Sequence, residues 1–184
     1  MSDSAGQATA VSIVVGIRRL GRSWYRLLFF LARHVRYITA PMRRQAFIHF
    51  CHWMVLTDVP NEDGGRSRLP RPVLWFESNY DGDVTRYMDT FARTIPWRMR
   101  AAWMPTRGFP DVFPSGPFHE WTVDNAFEAS HYWVAYPSAT TKDVGRALRV
   151  RGEVDVLRRA IAGAPPESVA EHWTAFLART QRDL

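Results

Sequence analysis

Four polar residues in the stretch FESNYDGD, Phe76 to Asp83, have the types and order of a calcium loop. Glu77, Asn79, Asp81 and Gly82 stand where that pattern places its first oxygen ligands and its sharp turn. The loop must close on a bidentate glutamate, and Met88 occupies that place. The residues ahead of it read as a strand, where a calcium loop has a helix. The pattern therefore predicts a structural corner in which Asn79 and Asp81 favour a tight turn and cap backbone N–H groups, with no metal. A chemical role is left for Glu77 and Asp81 only as carboxylates at the mouth of a pocket.

The second constellation is H-x-x-H, His49 and His52 within AFIHFCHWMVLT. On a helix this spacing puts both imidazoles on one face; on a strand it sends them to opposite faces. The surrounding residues read as a strand, so a shared metal is not expected. His131, in SHYWVAY, is a third imidazole that strand pairing would bring near either one. One axial histidine in an apolar pocket suffices for haem, which makes haem the single cofactor option; otherwise none is implied. The candidate catalytic groups are thus His49, His52, Glu77, Asp81 and His131. Cys51 lies between His49 and Trp53 in an apolar setting that leaves a thiol inert. There is no G-x-S-x-G, phosphate loop or dinucleotide fingerprint. Trp53, Trp75, Trp103, Trp133 and Tyr136 are candidates to line an apolar ligand pocket, or else to fill the core.

The elements that must hold these groups follow from patterning. Ala46–Thr57 and Pro72–Ser78 read as strands, as do Met99–Met104 and Ser130–Tyr136. Residues 58–71 read as a loop. A helix follows Asp83, with Val84, Tyr87, Met88 and Phe91 as its stripe, and Pro96 ends it. Phe118–Phe127, Thr140–Ala162 and Ser168–Arg182 read as further helices.

The net charge of +6 is unevenly spread. Residues 1–45 hold eight Arg and one Asp, +7, and the remaining 139 residues hold 16 basic and 17 acidic groups, −1. Within this basic segment Ile13, Ile17, Leu20, Trp24, Leu27, Leu28, Leu31, Val35 and Ile38 recur at helical spacing. Arg18, Arg19, Arg22, Arg26 and Arg33 oppose them, with Phe29 and Phe30 on or beside the arginine side. This predicts one amphipathic helix over about 11–39 that docks on the body, a partner or an anionic membrane surface. Arginines interrupt it too often for a membrane span, and its apolar run precedes the charges, unlike a signal peptide. The neutral body argues against nucleic acid. The lone cysteine excludes an internal disulfide and suits a reducing compartment. The expected location is cytoplasmic, with attachment to the cytoplasmic side of a membrane as the option.

IHFCHWMVL, LWFESNYDGDVTRYMDTF, RGFP and YWVAYPSATTKDV occur in an order that resembles a group of uncharacterised bacterial proteins with ferredoxin-like or dimeric α+β-barrel domains. The resemblance spans residues 47–150 or so. It implies an α+β, ferredoxin-like sandwich, a small and mostly antiparallel sheet with helices on one face. The other face of the sheet also reads as apolar and needs a cover, either the N-terminal helix or a second subunit's sheet, and a homodimer is expected for that reason. The resemblance also implies either a domain that binds an apolar small molecule or a protein partner, or an oxygenase or peroxidase-like enzyme, cofactor-free or haem-dependent. The expected organisation is a disordered tail at 1–10, the basic helix at 11–45, the α+β domain at 46–164 and a C-terminal helix at 165–184.

Overall fold

The computed structural model describes residues 3–5, 8–43 and 46–183. The expectations for 1–2, 6–7, 44–45 and 184 lie outside the described residues. The chain divides into two units, residues 1–138 and 139–184. The second unit is a pair of helices, so the expected boundary at 164/165 falls inside it.

The first unit is α+β and built on an antiparallel sheet. Its strands are β1 (Asp3–Ala5), β2 (Ala8–Gly16), β3 (Ile48–Pro60), β4 (Arg66–Asp81) and β5 (Ala126–Phe127). The order is β1-β2-β4-β3, and β5 pairs with β2 beyond the end of β1. The helices of this unit are α1 (Gly21–His34), α2 (Arg36–Arg43), α3 (Val84–Thr94), α4 (Pro96–Trp103) and α5 (Ser115–Asp124).

The largest departure from the sequence reading is at the start. Residues 8–16 are a strand in the middle of the sheet, and the helix begins only at Gly21. Val11, Ile13, Val15 and Ile17 alternate inward and are almost fully buried. Ile13 pairs with Phe76 and Val15 with Leu74. Their spacing of two satisfies a strand, and the sheet takes it because β4 offers an antiparallel partner along nine residues. The segment 8–10 of the expected tail is buried for the same reason. Gly21 fits the close turn into α1: a Cβ there would stand 2.2 Å from Ile17 Cγ2 and 3.1 Å from the Pro105 carbonyl oxygen.

β3 and β4 form a long hairpin closed by Asn61–Gly65, with the Asn61 N–H donating to Gly65 O at 3.0 Å. Most of the expected loop at 58–71 therefore extends the two strands. Met99–Met104 is helical rather than extended. Pro96 ends α3 and also supplies the first turn of α4, where its missing N–H costs nothing. Residues 130–136 have no regular structure.

One sheet face is covered by helices. Tyr87, Met88, Phe91 and Ala92 of α3, Met99 and Trp103 of α4 and Phe118 and Trp121 of α5 bury against it. Tyr25 of α1 is fully buried, and its hydroxyl donates to Ala102 O at 2.7 Å. Burial pushes that phenol well above its ordinary range. The opposite sheet face carries Val14, Trp75 and Met54 in one cross-strand row and Ser12, Glu77 and His52 in the next. Trp75, Met54 and Phe50 on that face are exposed.

The second unit comprises α6 (Thr141–Ile161) and α7 (Pro166–Thr180). Thr140 and Asp143 form a reciprocal capping box at the start of α6. Arg149 bonds Asp183 through Nε at 3.0 Å and Nη2 at 2.6 Å, and Arg179 Nε meets Glu153 at 2.6 Å. Leu157 and Phe176 are buried in this unit. No helix among the described residues is long and apolar enough to cross a membrane.

Candidate functional site

The corner FESNYDGD is the end of β4 and the entry to α3. Glu77, Asn79 and Asp81 are alternate residues of the strand and share a face. Gly82 has φ +92°, a conformation that side chains resist. The helix cap is Asp83, not Asp81: its carboxylate accepts from the Arg86 N–H at 2.9 Å. Asn79 lies within the strand and accepts from the Tyr132 hydroxyl at 2.6 Å.

His49 and His52 do not separate as an ideal strand would separate them. The register of β3 slips between Ile48 and Phe50, which inserts one residue. His49 Nε2 then meets Asp81 Oδ1 at 2.8 Å, and His52 Nε2 lies 3.6 Å from Glu77 Oε2. The two carboxylates stand four residues apart along β4, ~13 Å at strand rise, so the pairs are separate. Cys51 lies on the other, helix-covered face. His131 is exposed in the irregular segment. Among the described residues no group of three or more His, Cys, Asp and Glu is arranged to hold a metal ion.

The concave site is elsewhere, between the helical layer and the covered sheet face. A cavity of about 430 Å³ is lined by Leu28 and Phe29 of α1, Trp53 and Phe76 of the sheet, Phe91 of α3 and Trp103 of α4, among others. Each wall has a local cause. α3 starts on its Asp83 cap and turns Tyr87, Met88 and Phe91 inward at helical spacing. α4 starts on Pro96 and turns Met99 and Trp103 inward. α1 is pinned to α4 by two side-chain bonds, Trp24 Nε1 to Ala101 O and Tyr25 Oη to Ala102 O, both 2.7 Å. α2 is pinned to α4 by Arg98, whose Nε and Nη2 donate to Ile38 O and Tyr37 O, both 3.1 Å. The cavity is thus an arch of α1–α2 over α3 and α4.

Two polar groups on the lining stand out. Trp103 is 1% exposed, and its indole N–H has no hydrogen-bond partner. Its ring packs on Trp53, Phe76 and Trp121 at centroid distances of 4.7, 5.3 and 5.3 Å. Cys51 also lines the cavity, and burial raises its thiol above the ordinary range. Its thiolate is suppressed there, which makes it a packing residue rather than a nucleophile. Among the described lining residues none is a histidine, so the haem option has no axial imidazole in this cavity.

Of the five aromatic candidates, Trp53 and Trp103 line the cavity together. Trp75 is on the opposite sheet face, and Trp133 and Tyr136 are 73% and 74% exposed in the irregular segment. Phe29 leaves the arginine side: it stacks on Tyr25 at 5.5 Å and lines the cavity. Arg18, Arg19, Arg22, Arg26, Arg33 and Phe30 are exposed. Met99 was not legible as a site residue because Met99–Met104 read as a strand, and Arg98 fell between Pro96 and that segment, where no element was expected. No protein-family model, curated protein or solved structure matches the chain.

Proposed function

We propose that this protein binds an apolar small molecule in the cavity between α1–α2, α3, α4 and the sheet. The observation that carries this is the cavity itself, a concave space walled almost entirely by apolar side chains, with Trp53, Phe76, Phe91 and Trp103 among them. The volume of about 430 Å³ falls within the range of small-molecule sites. It is nearly three times the ~150 Å³ of a dry cavity that accepts benzene.

Titration with the neutral probe N-phenyl-1-naphthylamine tests this. Saturable fluorescence at a single site per chain is expected, with alkylation of Cys51 slowed in proportion to occupancy. A linear rise without saturation, or Cys51 alkylation indifferent to the probe, removes the reading.

We also propose, from the exposed side chains of α1 and the residues before it, that the protein attaches to an anionic membrane surface. Leu20, Leu27 and Phe30 are 82%, 54% and 59% exposed among Arg18, Arg19, Arg22, Arg26 and Arg33. Apolar side chains enter the headgroup boundary while each arginine adds on the order of 1 kcal/mol, screened by salt. The intact protein is expected to sediment with anionic vesicles at low salt and to be released in part at high salt. Recovery in the supernatant at low salt excludes the membrane.

A second reading is favoured by the opposite sheet face, on which Phe50, Met54 and Trp75 are exposed. A second copy packed there, face to face, gives the ferredoxin-like dimeric α+β-barrel arrangement, and the oxygenase or peroxidase-like alternative depends on it. Sedimentation equilibrium is expected to give a dimer for the wild type and a monomer for Trp75→Lys. A monomeric wild type ends this reading.

A further inference from the structure

We infer that the cavity's ligand is an anion, an alkyl or aryl chain ending in a carboxylate that sits against Arg98. This rests on the cavity-binding reading and adds the head group to it. Arg98 lines the cavity and is half-buried. Its bonds to the Ile38 and Tyr37 carbonyls use Nε and one Nη2 hydrogen, the same edge of the planar fork. They hold the guanidinium over the Trp97 and Tyr37 rings, with Cζ 4.2 and 5.4 Å from the centroids. A guanidinium has five N–H donors, so three remain after these two, including the far edge formed by Nη1 and Nη2.

The ion pairs found among the described residues engage other cations, Arg66, Arg100, Arg146, Arg149, Arg179 and three histidines. Arg98 is therefore a positioned cation with a donor edge left over and no carboxylate partner among the described residues. A cation fixed beside an apolar cavity favours an anionic partner. The geometry of the free edge matches the two oxygens of a carboxylate. The remaining lining is almost entirely apolar, so the rest of the ligand is a hydrocarbon or aromatic body.

The test compares dodecanoate with dodecanol on the full chain, each below its micelle concentration, by tryptophan fluorescence. Dodecanoate is expected to bind at least about tenfold more tightly, the scale of one charge-assisted bidentate contact. Arg98→Gln is expected to abolish that preference, read as the ratio of the two affinities in the same variant. Arg98→Lys, which keeps the charge and loses the fork, is expected to fall between. Equal binding of the two probes by the wild type overturns the carboxylate inference and leaves the cavity reading intact. So does a preference that survives Arg98→Gln. Binding of neither probe overturns the cavity reading itself. If Arg98→Gln also loses dodecanol, the arch has opened without its two carbonyl bonds, and the wild-type preference alone decides.

Discussion

Trp103→Ala is expected to lower stability by about 3–5 kcal/mol, the range for a large aromatic removed from a packed core. Trp103 is the largest of the fully buried side chains, and three aromatic rings lose a neighbour with it. The informative partner is Trp103→Phe. It keeps most of the apolar body but removes the unmatched N–H. A buried donor left without an acceptor costs about 1–3 kcal/mol, which offsets part of the smaller ring's packing loss. Trp103→Phe is therefore expected to fold with stability close to the wild type and to keep a cavity that takes the same apolar probe. Denaturant unfolding and probe titration on the same preparations separate the two effects. A Trp103→Phe variant as destabilised as Trp103→Ala would remove the unmatched N–H from this account.

Deleting residues 1–40 is expected to abolish folding of the first unit. On the sequence reading this segment is a helix whose loss either leaves a folded body or, if the helix is part of the core, unfolds or aggregates it through an exposed patch. The structure makes it part of the sheet. β2 pairs with β4 along Ala8–Gly16, and its inward residues Val11, Ile13 and Val15 form the middle of the core. Removing β2 exposes the outer side of β4 and takes away the strand on which β1 and β5 pair. Loss of α1 then removes one side of the cavity as well. Circular dichroism of the truncated chain is expected to show loss of strand signal and of cooperative melting. A truncated chain that still melts cooperatively would mean that the β3–β4 hairpin and α3–α5 suffice for a core.

The β3–β4 pair, α3, α5 and the last two helices were legible because each carries one dominant period between clear stops. The start of the chain failed on an ambiguity of period. Val11, Ile13, Val15 and Ile17 recur every second residue, while Ile13, Ile17, Leu20 and Trp24 recur every third or fourth. A strand apolar on both faces does not announce its period. Gly16 and the pair Leu20–Gly21 were the available signs of a break. α4 failed for another reason: Pro96 was taken only as a terminator, although proline also starts helices. Residues 131–135 do alternate, with Tyr132 and Val134 half-buried and His131, Trp133 and Ala135 exposed. The outer edge of β2, however, is already engaged by β1 and β5. The cavity itself was half legible. Trp53 and Trp103 were named for their type, but the arch that closes over them depends on Arg98, Trp24 and Tyr25 reaching main-chain carbonyls across about 60–77 residues of sequence.

β3 stands last in the sheet order, so one side of its backbone is left open among the described residues. The register slips at Ile48/Phe50 and Leu56/Asp58 bracket a regular run, FCHWMVL, that holds no Asp, Glu, Lys, Arg or Pro. The bulges confine what another chain can match to that run. Within it the composition is that of a segment prone to cross-β stacking. Pairing of another chain along this edge is limited in length by two irregularities of the backbone. A substitution that ironed out either bulge would lengthen the sticky edge without disturbing the core.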